Sequence, residues 1–165
     1  MEPESKIKLQ LSSFDQALET TGFLMVLILW GFTLFAYFNL PATIPTHFDA
    51  LGNVNNYGSK ATILFMAAFA TLVFFGVTVL NKHPGIFNYA RPVNKENTEQ
   101  QYKYATRMLR FLKLTIVIVF ILIILLTYLT TNYGIKEPGI WFILLIAGLI
   151  NIPTVYYIIR SIRAK

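Results

Sequence analysis

The chain has 165 residues, of which 55% are hydrophobic and only 13% are charged. This length suits a single domain, and soluble domains contain roughly 25% charged residues, so the composition argues against a soluble protein. The chain has no cysteine, which excludes disulfides and thiolate metal sites.

Four apolar runs dominate the chain, and none of them contains Asp, Glu, Lys, Arg or His. They cover residues 22–38, 61–80, 114–128 and 140–159. Each is about as long as a helix must be to cross a bilayer, and none has a polar face at the helical period. The sequence therefore predicts an all-α integral membrane protein, a single domain of four transmembrane helices. We place the spans at about residues 20–40, 60–82, 112–131 and 139–159, with an outer loop at 40–60 and a cytoplasmic loop at 82–111.

The basic residues predict the orientation of these spans. Of the 14 Lys and Arg residues, all except Lys60 and Lys136 fall in the N-terminal segment, in residues 81–113 or in the C-terminal tail. Basic residues accumulate on the cytoplasmic side of a membrane. Both termini and the middle loop are therefore predicted to be cytoplasmic, and the 40–60 loop faces outward. Glu96 and Glu99 interrupt the basic stretch, so no nucleic-acid partner is expected despite the net charge of +6.

The first helix is predicted to begin at a capping box led by Ser13 and to end at Leu40, because Pro41 disfavours helical geometry in the residue before it. The outer loop, LPATIPTHFDALGNVNNYGSK, is rich in Pro, Gly and Asn and predicts an ordered, turn-rich segment, extended at its start. Ser59 is the expected N-cap of the second helix. Lys60 is expected to reach outer headgroups or to pair with Asp49.

Residues 81–94 predict a turn close to the membrane, followed by a helix capped by Asn94. This helix is predicted to project into the cytoplasm and to run without a break into the third span. Its basic face, residues 95–113, suits either attraction to anionic lipid or docking of a cytoplasmic protein. In the fourth helix we expect Pro138 in the first turn and a kink at Pro153.

Because the apolar runs carry no ionisable group, a proton-coupled transporter or an intramembrane protease is not expected. The polar residues within the runs are expected to bridge helices; they are Thr33, Thr71, Thr78, Thr127 and Asn151. His47 and Asp49 are the most reactive-looking pair and suit catalysis or metal binding if a third ligand, such as Glu137, joins them. A loop histidine hydrogen-bonded to backbone is the favoured interpretation, so no metal, cofactor or catalytic residue is predicted.

Two segments carry a family resemblance. The outer loop resembles the signature of a bacterial membrane domain of unknown function, and the segment after the second span resembles that family's inner stretch. The matching outer positions are Leu40, Pro41, Ile44, Pro45, His47, Phe48, Gly52, Tyr57, Gly58, Ser59 and Lys60. The matching inner positions are Phe87, Asn88, Tyr89, Glu96, Asn97, Gln101, Tyr102 and Arg107.

The domain is also similar to the N-terminal part of SdpI-type proteins, which protect toxin-producing bacteria from their own secreted peptide and in some cases sequester a repressor. The resemblance implies a bacterial cytoplasmic (inner) membrane protein with an outer ligand site and an inner partner site. The candidate ligand-binding residues are Pro41, Pro45, His47, Phe48, Asp49, Gly52, Tyr57, Gly58, Ser59 and Lys60. The candidate partner-binding residues are Asn88, Tyr89, Glu96, Asn97, Arg107 and Arg110.

The leading hypothesis is a non-enzymatic membrane protein that senses or neutralises an extracytoplasmic peptide or envelope ligand through residues 40–60. Loops of this length usually carry function. Two alternatives stay open: a membrane-embedded enzyme or metal-binding protein that uses His47 and Asp49, and a subunit or assembly factor of a membrane complex. The bilayer is the one certain partner under all three hypotheses, and the oligomeric state is open.

Overall fold

The structure is a computed structural model that describes residues 10–49, 51, 53–89, 91–135 and 139–163. Its four long helices are all long and apolar enough to cross a membrane, which confirms the mostly helical, four-span prediction. The strictly all-α prediction is wrong, because the outer loop folds into a two-stranded antiparallel hairpin. The elements are α1 (Ser13–Asn39), β1 (Thr43–Phe48), β2 (Val54–Ser59), α2 (Thr62–Leu80), a 3₁₀ turn (Pro84–Ile86), α3 (Thr98–Tyr133) and α4 (Ile140–Ile162).

The helix α1 is capped by Ser12, one residue before the predicted Ser13. The Ser12 hydroxyl accepts from the Asp15 backbone N–H at 3.2 Å, and the Asp15 carboxylate accepts from the Ser12 N–H at 3.2 Å. The prediction missed by one residue because it used Gln16 as the reciprocal partner, whereas the Asp15 carboxylate takes that role. At the other end, Leu40 is extended before Pro41, as expected.

The helix α3 lies at the centre of the bundle and packs against α1, α2 and α4. Apolar side chains from Ala to Phe fill the interfaces, with further aromatic side chains packed around them. By contrast, α4 packs mainly against α3 and leaves most of its apolar surface exposed, as a lipid-facing helix does. The fully buried apolar side chains are Leu29, Ala36, Ile44, Ile63, Ala67, Ala70, Phe74, Val117 and Ile124.

Contacts between α1 and α2 depend on a glycine and on an indole hydrogen bond. A Cβ at Gly22 would lie 2.7 Å from the ring of Phe74, so only glycine allows this approach without a shift. Three residues before Phe74 on α2, Thr71 accepts a hydrogen bond from Trp30 Nε1 at 2.9 Å. Trp30 therefore packs between helices, as expected for a tryptophan in mid-span.

The N-caps of α2 and α3 lie two and three residues after the predicted N-caps. The helix α3 runs unbroken for 36 residues, as predicted, but begins at Thr98 after Asn97. Asn94 lies one turn earlier, where its side chain accepts from the Glu96 and Asn97 backbone N–H groups. The predicted N-cap Ser59 is wrong by two residues: α2 is capped by Ala61, without a side-chain hydrogen bond, and the Ser59 hydroxyl accepts from the Ala61 N–H just before the helix begins. The α3 helix ends at Gly134, whose φ of 64° is left-handed.

In α4 the helix continues through Pro153, while Asn151 and Thr154 donate to carbonyls of their own helix. Thr33 does the same in α1. Helix bridging by polar side chains is therefore confirmed for Thr71 and Thr78, while Thr33 and Asn151 bond within their own helices. The predictions that involve Glu137 and Pro138 lie outside the described residues.

Candidate functional site

The β1–β2 hairpin has an irregular register that sets the direction of its side chains. Pro45 pairs with Tyr57, His47 with Asn56, and Phe48 with Val54. One extra residue, Thr46, is thus inserted in β1, and one, Asn55, in β2. Such bulges change the direction of nearby side chains, so these side chains no longer follow the regular alternation between the two faces. Pro45 is tolerated because a two-stranded ribbon has a free edge on each strand.

Asp49 organises the turn of this hairpin. Its Oδ1 accepts from the backbone N–H groups of Leu51 at 2.8 Å and Asn53 at 2.9 Å, and its Oδ2 accepts from Asn53 Nδ2 at 3.1 Å. The Asp49 N–H also donates to the Asn53 carbonyl at 2.9 Å. Aspartate commonly fixes turns in this way. The carboxylate therefore has a structural role in the hairpin.

His47 is held by a neighbouring strand and not by backbone. Its Nδ1 lies 2.5 Å from Asn55 Oδ1, an acceptor, so Nδ1 carries the proton and donates. This contact fixes the orientation of the ring and does not involve Nε2. The predicted hydrogen bond of His47 to backbone is therefore wrong, since the partner is the Asn55 side chain.

Beneath the hairpin is a cavity of about 310 Å³ between β1 and the adjacent ends of α2, α3 and α4. This volume lies at the lower end of the range for small-molecule sites. The walls are mostly apolar, whereas His47, Asp49 and Thr46 supply polar groups on the hairpin side. The apolar lining includes Ile44, Pro45, Phe48, Ile63, Met66, Ile123, Leu126, Phe142 and Ile143.

The candidate residues of the outer loop do not converge on one point. His47, Asp49, Pro45 and Phe48 line the cavity. Tyr57 is outside it and 63% exposed. Four of the candidates thus line one cavity.

Lys60 turns back onto α1, away from Asp49. Its Nζ donates to the Leu40 carbonyl at 3.1 Å and lies 4.7 Å from the centre of the Tyr37 ring. Lysines near helix C-termini often bind the last carbonyls, which have no partner within the helix. The prediction that Lys60 pairs with Asp49 is therefore replaced by a cap on the end of α1.

The other outer candidates support the hairpin or lie at its margin. A Cβ at Gly58 would lie 2.9 Å from the Thr46 side chain, so glycine lets the bulge close against β2. Ser59 bonds the start of α2, and Pro41 is exposed next to the end of α1. Gly52 lies outside the described residues.

On the opposite end of the bundle, two of the partner candidates are structural. The Tyr89 hydroxyl donates to the Pro84 carbonyl at 2.9 Å, and its ring stacks on Tyr102 at 5.6 Å. Burial and the neighbouring Tyr102 raise the pKa of Tyr89, so the hydroxyl stays a donor. Asn97 is buried and donates to the Pro92 carbonyl at 3.2 Å.

Asn88 and Glu96 are exposed, so partner binding through these two side chains stays a prediction. Arg107 and Arg110, by contrast, point into the bundle, where they pair with carboxylates of α1. Their charges hold two helices together and are only slightly accessible to a partner.

These arginines belong to a group of five ionised side chains that joins α1 to α3, here called the ion-pair cluster. Arg107 donates two hydrogen bonds to the Asp15 carboxylate, from Nε at 2.7 Å and from Nη2 at 2.9 Å. Arg110 donates to Glu19 Oε1 at 3.0 Å. The fifth member is Lys113.

Lys113 is completely buried and bridges three helices. Its Nζ donates to Glu19 Oε2 at 2.5 Å and to Thr78 Oγ1 at 2.7 Å, and it lies 4.6 Å from the centre of the Phe74 ring. A buried ammonium needs such partners, because burying a charge is otherwise very costly. The cluster lies just outside the uncharged runs, where α1, α2 and α3 meet.

Sequence reasoning missed the cluster because it treated the α3 bases as an exposed stripe and did not pair them with the acids of the first predicted helix. A signal was present. Acids at 15 and 19 are one turn apart on α1, and bases at 107, 110 and 113 repeat every three residues on α3. Residues with these spacings lie on one face of a helix.

Four helices of this length and hydropathy, closed at one end by a hairpin over an apolar cavity, indicate a multi-pass membrane protein. Comparison with known proteins gives a family model, DUF1648, a domain of unknown function, that matches residues 24–71. The match covers most of α1, the whole hairpin and the first half of α2. The predicted resemblance to a membrane domain of unknown function is thus confirmed for this part.

The chain is also similar to an uncharacterised protein of Archaeoglobus fulgidus, with 28% identity over 86 residues. The alignment covers 47% of this chain and 47% of the archaeal protein, so about half of each is compared. No solved structure matches the chain.

Proposed function

We propose that this chain is a non-enzymatic protein of the cytoplasmic membrane that binds an extracytoplasmic peptide or envelope ligand in the hairpin cavity, in SdpI-like immunity or sensing. The observation that supports this proposal is the cavity itself, with apolar walls from three helices and polar groups from β1. Such a site suits an amphipathic ligand: apolar walls bind the apolar part, and a few polar groups orient the rest.

The geometry favours binding over metal chemistry. Asp49 already accepts three hydrogen bonds from its own turn, and His47 has one nitrogen fixed on Asn55. Within the described ranges, no three His, Cys, Asp or Glu side chains come together as a metal site. A ligand would instead meet Nε2 of a pre-oriented imidazole beside an apolar cavity.

The proposal is tested by peptide sensitivity. Cells that express the chain and cells with an empty vector are grown against a panel of membrane-active peptides. The wild-type chain is expected to raise the inhibitory concentration of at least one peptide severalfold. Met66→Trp, which fills the cavity from α2, is expected to abolish that protection.

The matched control is Leu72→Trp, on the same helix but on its exposed, lipid-facing side, which should keep full protection. Both variants are checked for expression and for the thermal unfolding midpoint in detergent. If the Met66→Trp and wild-type chains protected equally, the ligand would not bind in the cavity. Equal growth of vector and wild-type cells with every peptide would remove immunity.

Orientation is tested by labelling, since the chain has no native cysteine. Leu51→Cys places a thiol at the hairpin tip, where Leu51 is 80% exposed, and Glu99→Cys places one at the start of α3. A membrane-impermeant maleimide is expected to label the first variant in intact cells and the second only after lysis. The reverse pattern would place the hairpin inside and contradict an extracytoplasmic ligand.

A further inference from the structure

The last three turns of α4 carry one continuous stripe of side chains. Apolar residues at positions 152, 155, 156 and 159 are followed by arginines at 160 and 163, all at three- and four-residue steps. Residues so spaced lie on one face of a helix. The first four line a shallow groove of about 380 Å³ together with Asn151.

The groove faces away from the rest of the bundle. Ile152 is 72% exposed, and Val155, Tyr156 and Ile159 are also exposed. At the end of the stripe, Arg160 does not swing freely: its Nη2 donates to the Tyr104 hydroxyl of α3 at 3.1 Å. Its guanidinium carbon lies 5.3 Å from the centre of the same ring. The cation is thereby held at the junction of α3 and α4.

The positive charge of this junction is not balanced within the described part of the chain. All four ion pairs there belong to the ion-pair cluster, and none includes Arg160 or Arg163. Tyr104 is a neutral partner that uses one of the five N–H donors of Arg160. The remaining donors can bind an anion.

We propose that this stripe binds an anionic phospholipid, with the phosphate on Arg160 and Arg163 and an acyl chain in the groove. The order of the side chains supports this proposal. The apolar groove would bind the acyl chain, and the two arginines that follow it at the end of the helix would bind the phosphate. Guanidinium groups bind phosphate through paired hydrogen bonds. A free phosphate would use the arginines but would leave the groove unused.

The test is a lipid titration of the full-length protein in neutral detergent, followed by native mass spectrometry. Phosphatidylglycerol and phosphatidylcholine with identical acyl chains are compared. One phosphatidylglycerol is expected to stay bound at concentrations where phosphatidylcholine does not. Arg160→Gln and Arg163→Gln should each weaken phosphatidylglycerol binding about fivefold, as expected for one basic residue at an anionic surface.

Lys82→Gln is the matched control, because it removes one exposed positive charge at the end of α2. It should keep phosphatidylglycerol affinity within about twofold of wild type, whereas an equal loss in this variant would show attraction to net charge and overturn the site. Val155→Trp, which fills the groove and keeps both arginines, should also weaken binding.

Two further results would overturn the proposal. Glycerol phosphate, which has no acyl chain, should fail to compete at millimolar concentration; full competition would reduce the site to an anion site. A dimer that is lost in Val155→Trp and forms equally without lipid would assign this face to a second copy of the chain.

Discussion

At the hairpin end of the bundle, polar side chains bond within the hairpin, whereas at the opposite end they bond between helices. Asp49 accepts hydrogen bonds within its own turn, His47 bonds to the neighbouring strand, and an open cavity lies below both residues. Asp15, Glu19 and Lys113 instead join α1, α2 and α3 through ion pairs and a hydrogen bond to Thr78.

The difference indicates which end is fixed and which end can adapt. Short ion pairs set the register of α1 on α3, because a shift of one helix along the other would leave a buried charged group without its partner. The hairpin end has fewer such constraints, and its α4 wall is packed mainly against α3. A ligand site on a rigid base is the usual arrangement for binding loops. Four substitutions test this contrast, from the largest expected effect to the smallest.

Glu19→Ala should have the largest effect on stability. It removes the carboxylate that pairs with both Arg110 and Lys113, and Lys113 is completely buried. Breaking one side of a buried pair costs about 3 kcal/mol or more. The free energy of unfolding, measured by denaturant titration in micelles, should fall by that amount. Adding Lys113→Met should restore part of the loss, and a double variant as unstable as the sum of the single variants would contradict the pairing.

Gly22→Ala should be the next most damaging change. The new Cβ would lie 2.7 Å from the Phe74 ring, and overpacking of a tight contact costs about 1–3 kcal/mol. Gly31→Ala is the control on the same helix, since nothing lies within 4 Å of its Cβ position. It should leave the melting midpoint unchanged or raise it slightly. Equal losses in the two variants would refute the close approach of α1 and α2.

Asp49→Ala should loosen only the hairpin. The loss of its three side-chain hydrogen bonds should speed hydrogen exchange at the Leu51 and Asn53 amides severalfold. The overall melting midpoint should change little, because the helices do not depend on this turn. Asp49→Asn keeps one carbonyl acceptor and should lie between wild type and Asp49→Ala. Unchanged exchange at these amides in Asp49→Ala would contradict the turn.

His47→Ala should have the smallest effect on folding. His47 is exposed and bonds only to the Asn55 side chain among the contacts described. The thermal midpoint should move by less than about 2 °C. In the peptide assay, however, the protection that the chain gives against the peptide should fall. A large loss of stability without loss of protection would give His47 a structural role.

The sequence predicted the helices well because hydropathy and helix length are local properties. The four apolar runs and the unbroken third helix needed no knowledge of contacts. The hairpin was not predicted, because prolines and asparagines in residues 40–60 favour turns, and the bulges at Thr46 and Asn55 interrupt the regular alternation of the two strands. The roles of Lys60 and Asp49 were also missed, since each depends on a backbone partner in a fold that turn composition does not reveal.

The ion-pair cluster required a different kind of information. Asp15 and Arg107 are 92 positions apart in the sequence, and only the packing of α1 on α3 brings them together. Charge counting treated these residues as signals of orientation. The same arginines therefore contribute to the predicted topology and to the stability of the bundle, and sequence reasoning recognised only the first contribution.

The unbroken course of α3 has a mechanical consequence. A helix of 36 residues is about 54 Å long, compared with roughly 30 Å for the hydrocarbon core of a bilayer. One end forms a wall of the cavity at Ile123 and Leu126, and the other carries Gln101 beside the Pro92 carbonyl. The ion-pair cluster lies between these two ends and joins α3 to α1. A tilt of α3 about this cluster would therefore move the ends that carry Ile123 and Gln101 in opposite directions.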